Sequence, residues 1–227
     1  MHALDNPIWT ALTTKQASLA HTSALARRFS PEMTLLGALA ANTAMAFDSL
    51  AQLIQRDPVT LYFSAPQNFG AQWEVLRAVE LHQMVQENPV TAAQGGPKHE
   101  VVELTVNDLP EMTEIYAATR PGRSLCQRIQ KLGNFLGVRE DGKLVSMGGL
   151  RLHLAGYREI TTVATRLGSE GRGYGTAVMR ALIELIRSRG NQPFLTVRKD
   201  NERAVAIYHR LGFKERTTLH SCTIRHT

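Results

Sequence analysis

Glu170-Gly171-Arg172-Gly173-Tyr174-Gly175-Thr176 sets three glycines at alternate positions. It lies between a β-branched run, 159–165, and an amphipathic segment, 175–189. Glycines strip side chains from the backbone, so main-chain N–H groups can approach a ligand closely. The helix expected to follow adds unpaired N–H groups and the positive end of its dipole. Together these make an anion site suited to a pyrophosphate. Arg172 contributes a cation, and Thr176 puts a hydroxyl in the first helical turn. A Walker loop would need Gly-Lys-Ser/Thr at its end, and a dinucleotide fingerprint Gly-x-Gly-x-x-Gly; neither is present. On its own the stretch also reads as a tight strand-to-helix turn.

The segment downstream narrows the choice. One expected strand later, over 194–198, comes Asn201-Glu202-Arg203-Ala204-Val205-Ala206-Ile207-Tyr208-His209-Arg210-Leu211-Gly212-Phe213. The glycine turn together with Asn201, Ala204, Tyr208, Gly212 and Phe213 resembles the GNAT superfamily of acetyl-CoA-dependent N-acetyltransferases. That family carries Arg/Gln-x-x-Gly-x-Gly/Ala and then Asn-x-x-Ala-x-x-x-Tyr-x-x-x-Gly-Phe. The resemblance covers about residue 101 to the C-terminus. Glu170 departs from it, standing where the family has Arg or Gln. A solvated carboxylate there should weaken pyrophosphate binding by about 1 kcal/mol or less.

The resemblance implies an α/β (α+β) fold with a mixed central sheet flanked by helices. It implies acetyl-CoA as co-substrate and no metal. Its pantetheine arm would run along the strand before the turn, on main-chain groups of Val163 and Thr165, with a bulge expected there. The pyrophosphate would rest on Glu170, Gly171, Arg172, Gly173, Tyr174, Gly175 and Thr176, and Asn201 would contact the cofactor from the next helix start. Tyr208 is the candidate general acid toward the leaving sulfur, with a core tyrosine as the alternative. Glu159 opens the central strand and is the candidate base, because a strand-end carboxylate facing a cleft can take a proton. Its alternative is a solvated strand-end charge.

The rest of the C-terminal part alternates strand and helix. Strands are expected over 101–106, 134–139, 143–154, 159–165 and 214–224. Helices are expected over 109–118, with Asp108 as N-cap, and over 125–132, 175–189 and 201–211. Gly190 suits the residue after a helix end. Arg120 and Arg123 lie between the first two helices, where the family forms one wall of its acceptor pocket.

Residues 88–98, with two prolines and a Gly-Gly pair, read as a connector. The chain accordingly divides into an N-terminal α/β part (1–88), a linker (89–98) and the GNAT-like domain (99–227). The first 100 residues carry six basic and eight acidic side chains, the remainder twenty and twelve. The excess of the net +6 thus sits with the anion motif. In the N-terminal part, helices are expected over 11–29 and 44–54, and a strand over 59–63. Residues 33–47 read as buried helix, while 73–85 are ambiguous. This part is either a degenerate GNAT half walling the acceptor site or a dimerisation element of a homodimer.

At 227 residues, 43% hydrophobic and 20% charged, the composition is that of a globular protein with a real core. No apolar run reaches the ~18 residues of a membrane span, and no secretory leader is expected. Two cysteines fit a reducing, cytoplasmic setting. His220, Cys222 and His226 lack a full ligand set for a metal. Nucleic-acid binding is not expected: only 6% of residues are aromatic, with no helix-turn-helix and no basic run. The expected function is acetyl transfer from acetyl-CoA to a primary amine of a small molecule or protein, by direct attack in a ternary complex. The alternative is a non-catalytic CoA-binding module.

Overall fold

The computed structural model describes residues 2–87, 99–122 and 124–227. The expected linker and Arg123 lie outside the described residues. Before the linker run α1 (Pro7–Thr13), β1 (Ala20–Thr22), β2 (Ala26–Phe29), β3 (Gly37–Leu39), α2 (Ala44–Ile54), β4 (Val59–Phe63) and β5 (Trp73–Gln86). After it come β6 (Val102–Leu104), α3 (Leu109–Thr119), β7 (Phe135–Glu140), β8 (Lys143–Leu154) and β9 (Tyr157–Thr165). The chain closes with α4 (Tyr174–Ser188), β10 (Gln192–Arg198), α5 (Glu202–Arg210) and β11 (Phe213–His226).

Strands β1-β2-β3 form a small sheet, and the others form one of eight strands ordered β4-β11-β5-β10-β9-β8-β7-β6. This large sheet is antiparallel except between β9 and β10. Strand β5 lies between the last two strands of the chain. It pairs Met84 with Leu195 of β10 and Leu81 with Leu219 of β11. The two parts that the sequence divides therefore share one hydrogen-bonded sheet, and the mixed sheet flanked by helices is the expected architecture.

Hydrophobic patterning assigns the faces. Val178, Leu182 and Ile186 of α4 pack with Ile160, Leu195, Val197 and Phe213 on one side. On the other, Ile8 and Leu12 of α1 and Met112 and Ile115 of α3 join Phe135, Leu152 and Phe194. Helix α2 packs Leu50 and Ile54 on Val59, Leu61 and Ile224. Burying a Leu or Phe side chain in this way stabilises by about 1.5–3 kcal/mol.

Three helical expectations fail. Residues 11–29 are not one helix: α1 starts at Asn6, whose side chain accepts from the Trp9 N–H, and ends at Thr13. The Thr13 and Thr14 hydroxyls bond back to the carbonyls of Trp9 and Thr10, a local competition that weakens helices. Gln16 then leaves the helix path to clamp β8. Its amide donates to the Arg151 carbonyl (2.9 Å) and accepts from the His153 N–H (3.0 Å). Residues 33–47 are not one helix: they hold β3, and α2 begins only at Ala44. At Gly37 a Cβ would stand 2.6 Å from Val59, so only glycine allows that close approach. Within 125–132 only a 3-10 turn forms, Ile129–Leu132. The ambiguous 73–85 is strand.

Candidate active site

The parallel ladder between β9 and β10 runs from Tyr157↔Gln192 to Ile160↔Leu195 and stops. Beyond it, β9 stays with β8 as far as Thr165↔Ser146, while β10 stays with β5 as far as Arg198↔Leu81. The two central strands diverge, and their facing edges over 161–165 and 196–198 carry no ladder bonds to each other. A bulge falls in the same place, where the β8–β9 register shifts between Gly149↔Thr161 and Met147↔Ala164. Thr162 sits at φ +58°, a strained value for a β-branched residue. The bulge turns the Val163 carbonyl toward Arg120, whose Nη2 donates to it at 3.0 Å.

Strand β9 leads into the glycine loop. Gly171 and Gly173 have φ of +82° and +86°, the left-handed region that disfavours any side chain. A Cβ on Gly171 would meet nothing within 4 Å, so the loop stands open. Gly173 caps α4 without a side chain of its own. The first-turn N–H groups at Tyr174, Gly175 and Thr176 thus have no side-chain cap. Gly175 permits close packing: a Cβ there would stand 3.2 Å from Thr165 Oγ1, which itself lies 3.1 Å from Ser146 Oγ.

The loop's charges are mutually engaged. Arg172 pairs with Glu140 at 3.1 Å, and the Tyr174 hydroxyl donates to the same carboxylate. His99 packs against Tyr174 with the rings tilted at 55° and centroids 4.3 Å apart, and places Nε2 2.8 Å from the Arg172 carbonyl. Glu170 is exposed, and its carboxylate accepts from the Gly168 N–H at 2.7 Å. It is held within its own turn by that bond.

Asn201 caps α5, its Oδ1 accepting from the Ala204 N–H at 3.2 Å. Tyr208 is partly buried on the α4 side of the sheet, with Val163 packed against the same core cluster. Its ring lies 6.1 Å from Phe213. Burial pushes the Tyr208 hydroxyl above its ordinary pKa, while the charge of Arg120 pulls the other way. The phenol therefore keeps its proton at neutral pH.

The structure does not place Glu159 as a carboxylate facing a cleft. Its side chain is 0% exposed and forms a two-pronged pair with Arg151, at 2.8 Å from Nε and 2.7 Å from Nη2. The Thr196 hydroxyl donates to it at 3.3 Å. The cause is strand pairing, since Arg151 on β8 and Glu159 on β9 flank the turn at Ala155-Gly156. Burial opposes the charge on Arg151, but the adjacent Glu159 carboxylate more than offsets this and raises the guanidinium pKa. Glu159 is the counter-ion of Arg151 in this arrangement. Arg151 Nη2 also donates to the Tyr62 hydroxyl at 3.3 Å.

Sequence reasoning missed Arg151, Thr196 and Tyr62, and also His99 and Glu140 beside the loop. Nothing in the sequence places Tyr62, which comes from β4, at Arg151. Arg120 lies at the divergence as described, whereas Arg123 is outside the described residues. Cys222 is buried, and burial raises its thiol pKa. Among the described residues no group of three His, Cys, Asp or Glu could hold a metal ion, and no helix is long and apolar enough to cross a membrane.

Comparison with known proteins agrees with this geometry. The profile of the acetyltransferase (GNAT) family matches residues 99–213. The N-alpha-acetyltransferase RimI of Mycobacterium tuberculosis is 33% identical over 85 residues, 36% of this chain and 52% of that protein. The chain thus spans about half the length of that curated relative. A crystal structure described as a GNAT-family acetyltransferase, from Novosphingobium aromaticivorans, is 30% identical and superposes with a TM-score of 0.87, covering 100% of both chains. A GCN5-related N-acetyltransferase from Kribbella flavida, at 12% identity, shares the fold with a TM-score of 0.62 over 96% of this chain and 92% of its own. The coverage by the Novosphingobium structure extends the likeness through β1 to β5, beyond the region the family profile matches. Motif, divergent strands and whole-chain superposition agree: the chain belongs to the GNAT acetyltransferase family.

Proposed function

We propose that this protein transfers an acetyl group from acetyl-CoA to a primary amine by direct attack in a ternary complex. The observation that carries the reading is the divergence of β9 and β10 and its end at an open glycine loop. The gap offers an extended pantetheine arm two strand edges that form no ladder with each other, and Val163 and Thr165 belong to the β9 edge. Gly171, Arg172, Gly173, Tyr174, Gly175 and Thr176 present N–H groups and a helix dipole to the pyrophosphate. Glu170, turned back on Gly168, weakens that site without closing it. Asn201 lies at the start of α5, beside the expected path of the arm.

The amine nitrogen bonds the acetyl carbon, the carbon–sulfur bond breaks, and the sulfur takes a proton. Tyr208, protonated at neutral pH, supplies that proton. The amine gives up its own proton to water, because Glu159 is occupied by Arg151. A general acid of this kind contributes about 10²–10⁴ in rate. The same occupation of Glu159 is the one observation that favours the second reading, a CoA-binding module without turnover.

Thermal unfolding with acetyl-CoA, dephospho-CoA and ATP tests the donor site. Saturation at 100 times Kd stabilises by about 2.7 kcal/mol, which in a chain of this size raises Tm by about 5–11 °C. Release of free thiol in the presence of a primary-amine panel then separates the enzyme from the binding module. Binding without release would favour the module, and no shift with any CoA species would overturn both.

A further inference from the structure

A cleft of about 590 Å³ opens between β4, β11 and the segment 38–42. That volume is within the range of small-molecule sites, about 300–1,000 Å³. The residues that line it include the apolar Leu61, Phe63 and Leu219 and the hydroxyl-bearing Tyr62, Ser64 and Thr217. Asp5 and Arg216 lie at its edge and pair with each other, and Arg216 also donates to Gln83 at 2.9 Å. Arg216 occupies the bulge between Glu215 and Thr217, which turns it off the ladder of β11 toward these partners.

Side-chain hydrogen bonds link one wall of the cleft to the diverging strands. Tyr62, in its wall, accepts from Arg151; Arg151 holds Glu159; and Glu159 accepts from Thr196. Thr196 is the first residue of β10 beyond the last pair with β9. One hydrogen-bonded chain thus runs from the cleft to the mouth of the gap. Each link is between groups at least partly buried.

We propose that this cleft seats the amine acceptor, and that the acceptor is a small primary amine with an uncharged, partly apolar body. The inference rests on the acetyltransferase reading. The charge balance sets the class. Asp5 neutralises Arg216 and Glu159 neutralises Arg151, so neither a polycation nor an acidic acceptor finds an uncompensated partner. Hydroxyls and apolar side chains remain to contact the body of the molecule. Tyr62 is then a positioning residue, fixed by Arg151 at the junction between cleft and gap.

The test uses the full chain with Cys126→Ser, so that an introduced thiol can be labelled selectively. Ser64→Cys is modified with N-benzylmaleimide to fill the cleft. Met45→Cys, at a position 70% exposed on α2, is the labelled control, and Thr217→Trp is a second, label-free obstruction. Readouts are acetyl-CoA Kd, and acetylation of phenylalaninamide, leucinamide and benzylamine against spermidine and aspartate. The expected result is an acetyl-CoA Kd within twofold of the parent in every variant. Acetylation should fall tenfold or more in the labelled Ser64→Cys and Thr217→Trp proteins, and not in the control. The parent should prefer the neutral-bodied amines by tenfold or more.

Full acetylation in both obstructed proteins would overturn the cleft as the acceptor site, and so would a changed acetyl-CoA Kd, which would make it part of the donor site. Preference for spermidine or for aspartate would overturn the chemical class. Acetyl-CoA binding with no amine acetylated by the parent would overturn the acetyltransferase reading together with this one.

Discussion

Replacing Glu159 by Gln keeps the shape of the side chain and removes its charge. Arg151 then remains as a guanidinium with 16% of its side chain exposed and its two-pronged partner gone. Removing one member of a buried ion pair costs about 3–5 kcal/mol. The residual exposure of Arg151 and its bond to the Tyr62 hydroxyl put this case at the lower end, about 3 kcal/mol. For a chain of this size that is a Tm lower by about 6–12 °C. The matched double variant Arg151→Met/Glu159→Leu removes both charges and fills the space with apolar groups. It should fall within about 1 kcal/mol of the parent, because two desolvation penalties vanish with the attraction. Urea unfolding of the three proteins, with equal m-values, measures both numbers. A Glu159→Gln protein as stable as the parent would refute the assignment of Glu159 as a buried counter-ion and return it to the candidates for the base.

Tyr208→Phe should lower kcat for acetyl transfer tenfold or more while leaving the acetyl-CoA KM unchanged, as steady-state kinetics with varied donor would show. Glu170→Gln should tighten acetyl-CoA about two- to fivefold by titration calorimetry, since it removes a like charge beside the pyrophosphate site; looser binding would mean the carboxylate is needed to shape the turn at Gly168. Gly175→Ala should weaken acetyl-CoA binding severalfold, because its new Cβ presses on Thr165 Oγ1 at 3.2 Å. Stability should also fall in acid through one cluster. The Thr105 N–H and Arg139 hold Asp108 below its ordinary pKa, and the Leu144 N–H and Arg139 do the same for Glu111. Depressed carboxyl pKa values stabilise the fold above about pH 4, and that contribution is lost as pH drops through the folded values. Arg139→Met should flatten this acid limb in a pH series of Tm.

The elements with strong local signals were legible. The glycine turn, α4 with its 3.6-residue apolar stripe, and Asn201 at the start of α5 are all where the sequence expects them. The bulge near Val163 and Thr165 was expected from the family resemblance and is present. The failures share a cause in tertiary contacts that local propensity does not encode. Alanine and leucine over 11–29 favour a helix, yet the β8 main chain captures Gln16 and the chain turns into strands. The expectation that Glu159 faces a cleft differs from the structure because its partner, Arg151, lies across a strand pair. Its geometry depends on where the turn at Gly156 falls, and no motif records that. The insertion of β5 between β10 and β11 is the least legible feature. A strand's sequence carries its two faces but not the identity of its neighbours.

That insertion has a consequence for how the molecule assembles. During synthesis β5 emerges well before β10 and β11, and it must wait for both to find its partners. Contacts so distant in sequence are slow to form because loop closure precedes any gain from them. Until they form, β10 and β11 each present a bare edge, the kind that pairs with other chains. A fragment beginning at residue 99 would keep those edges permanently, although it contains the whole stretch that the family profile matches. Residues 73–86 are then the strand that covers both inner edges of the second half. The gene cannot be trimmed to its recognisable portion without exposing the centre of the sheet.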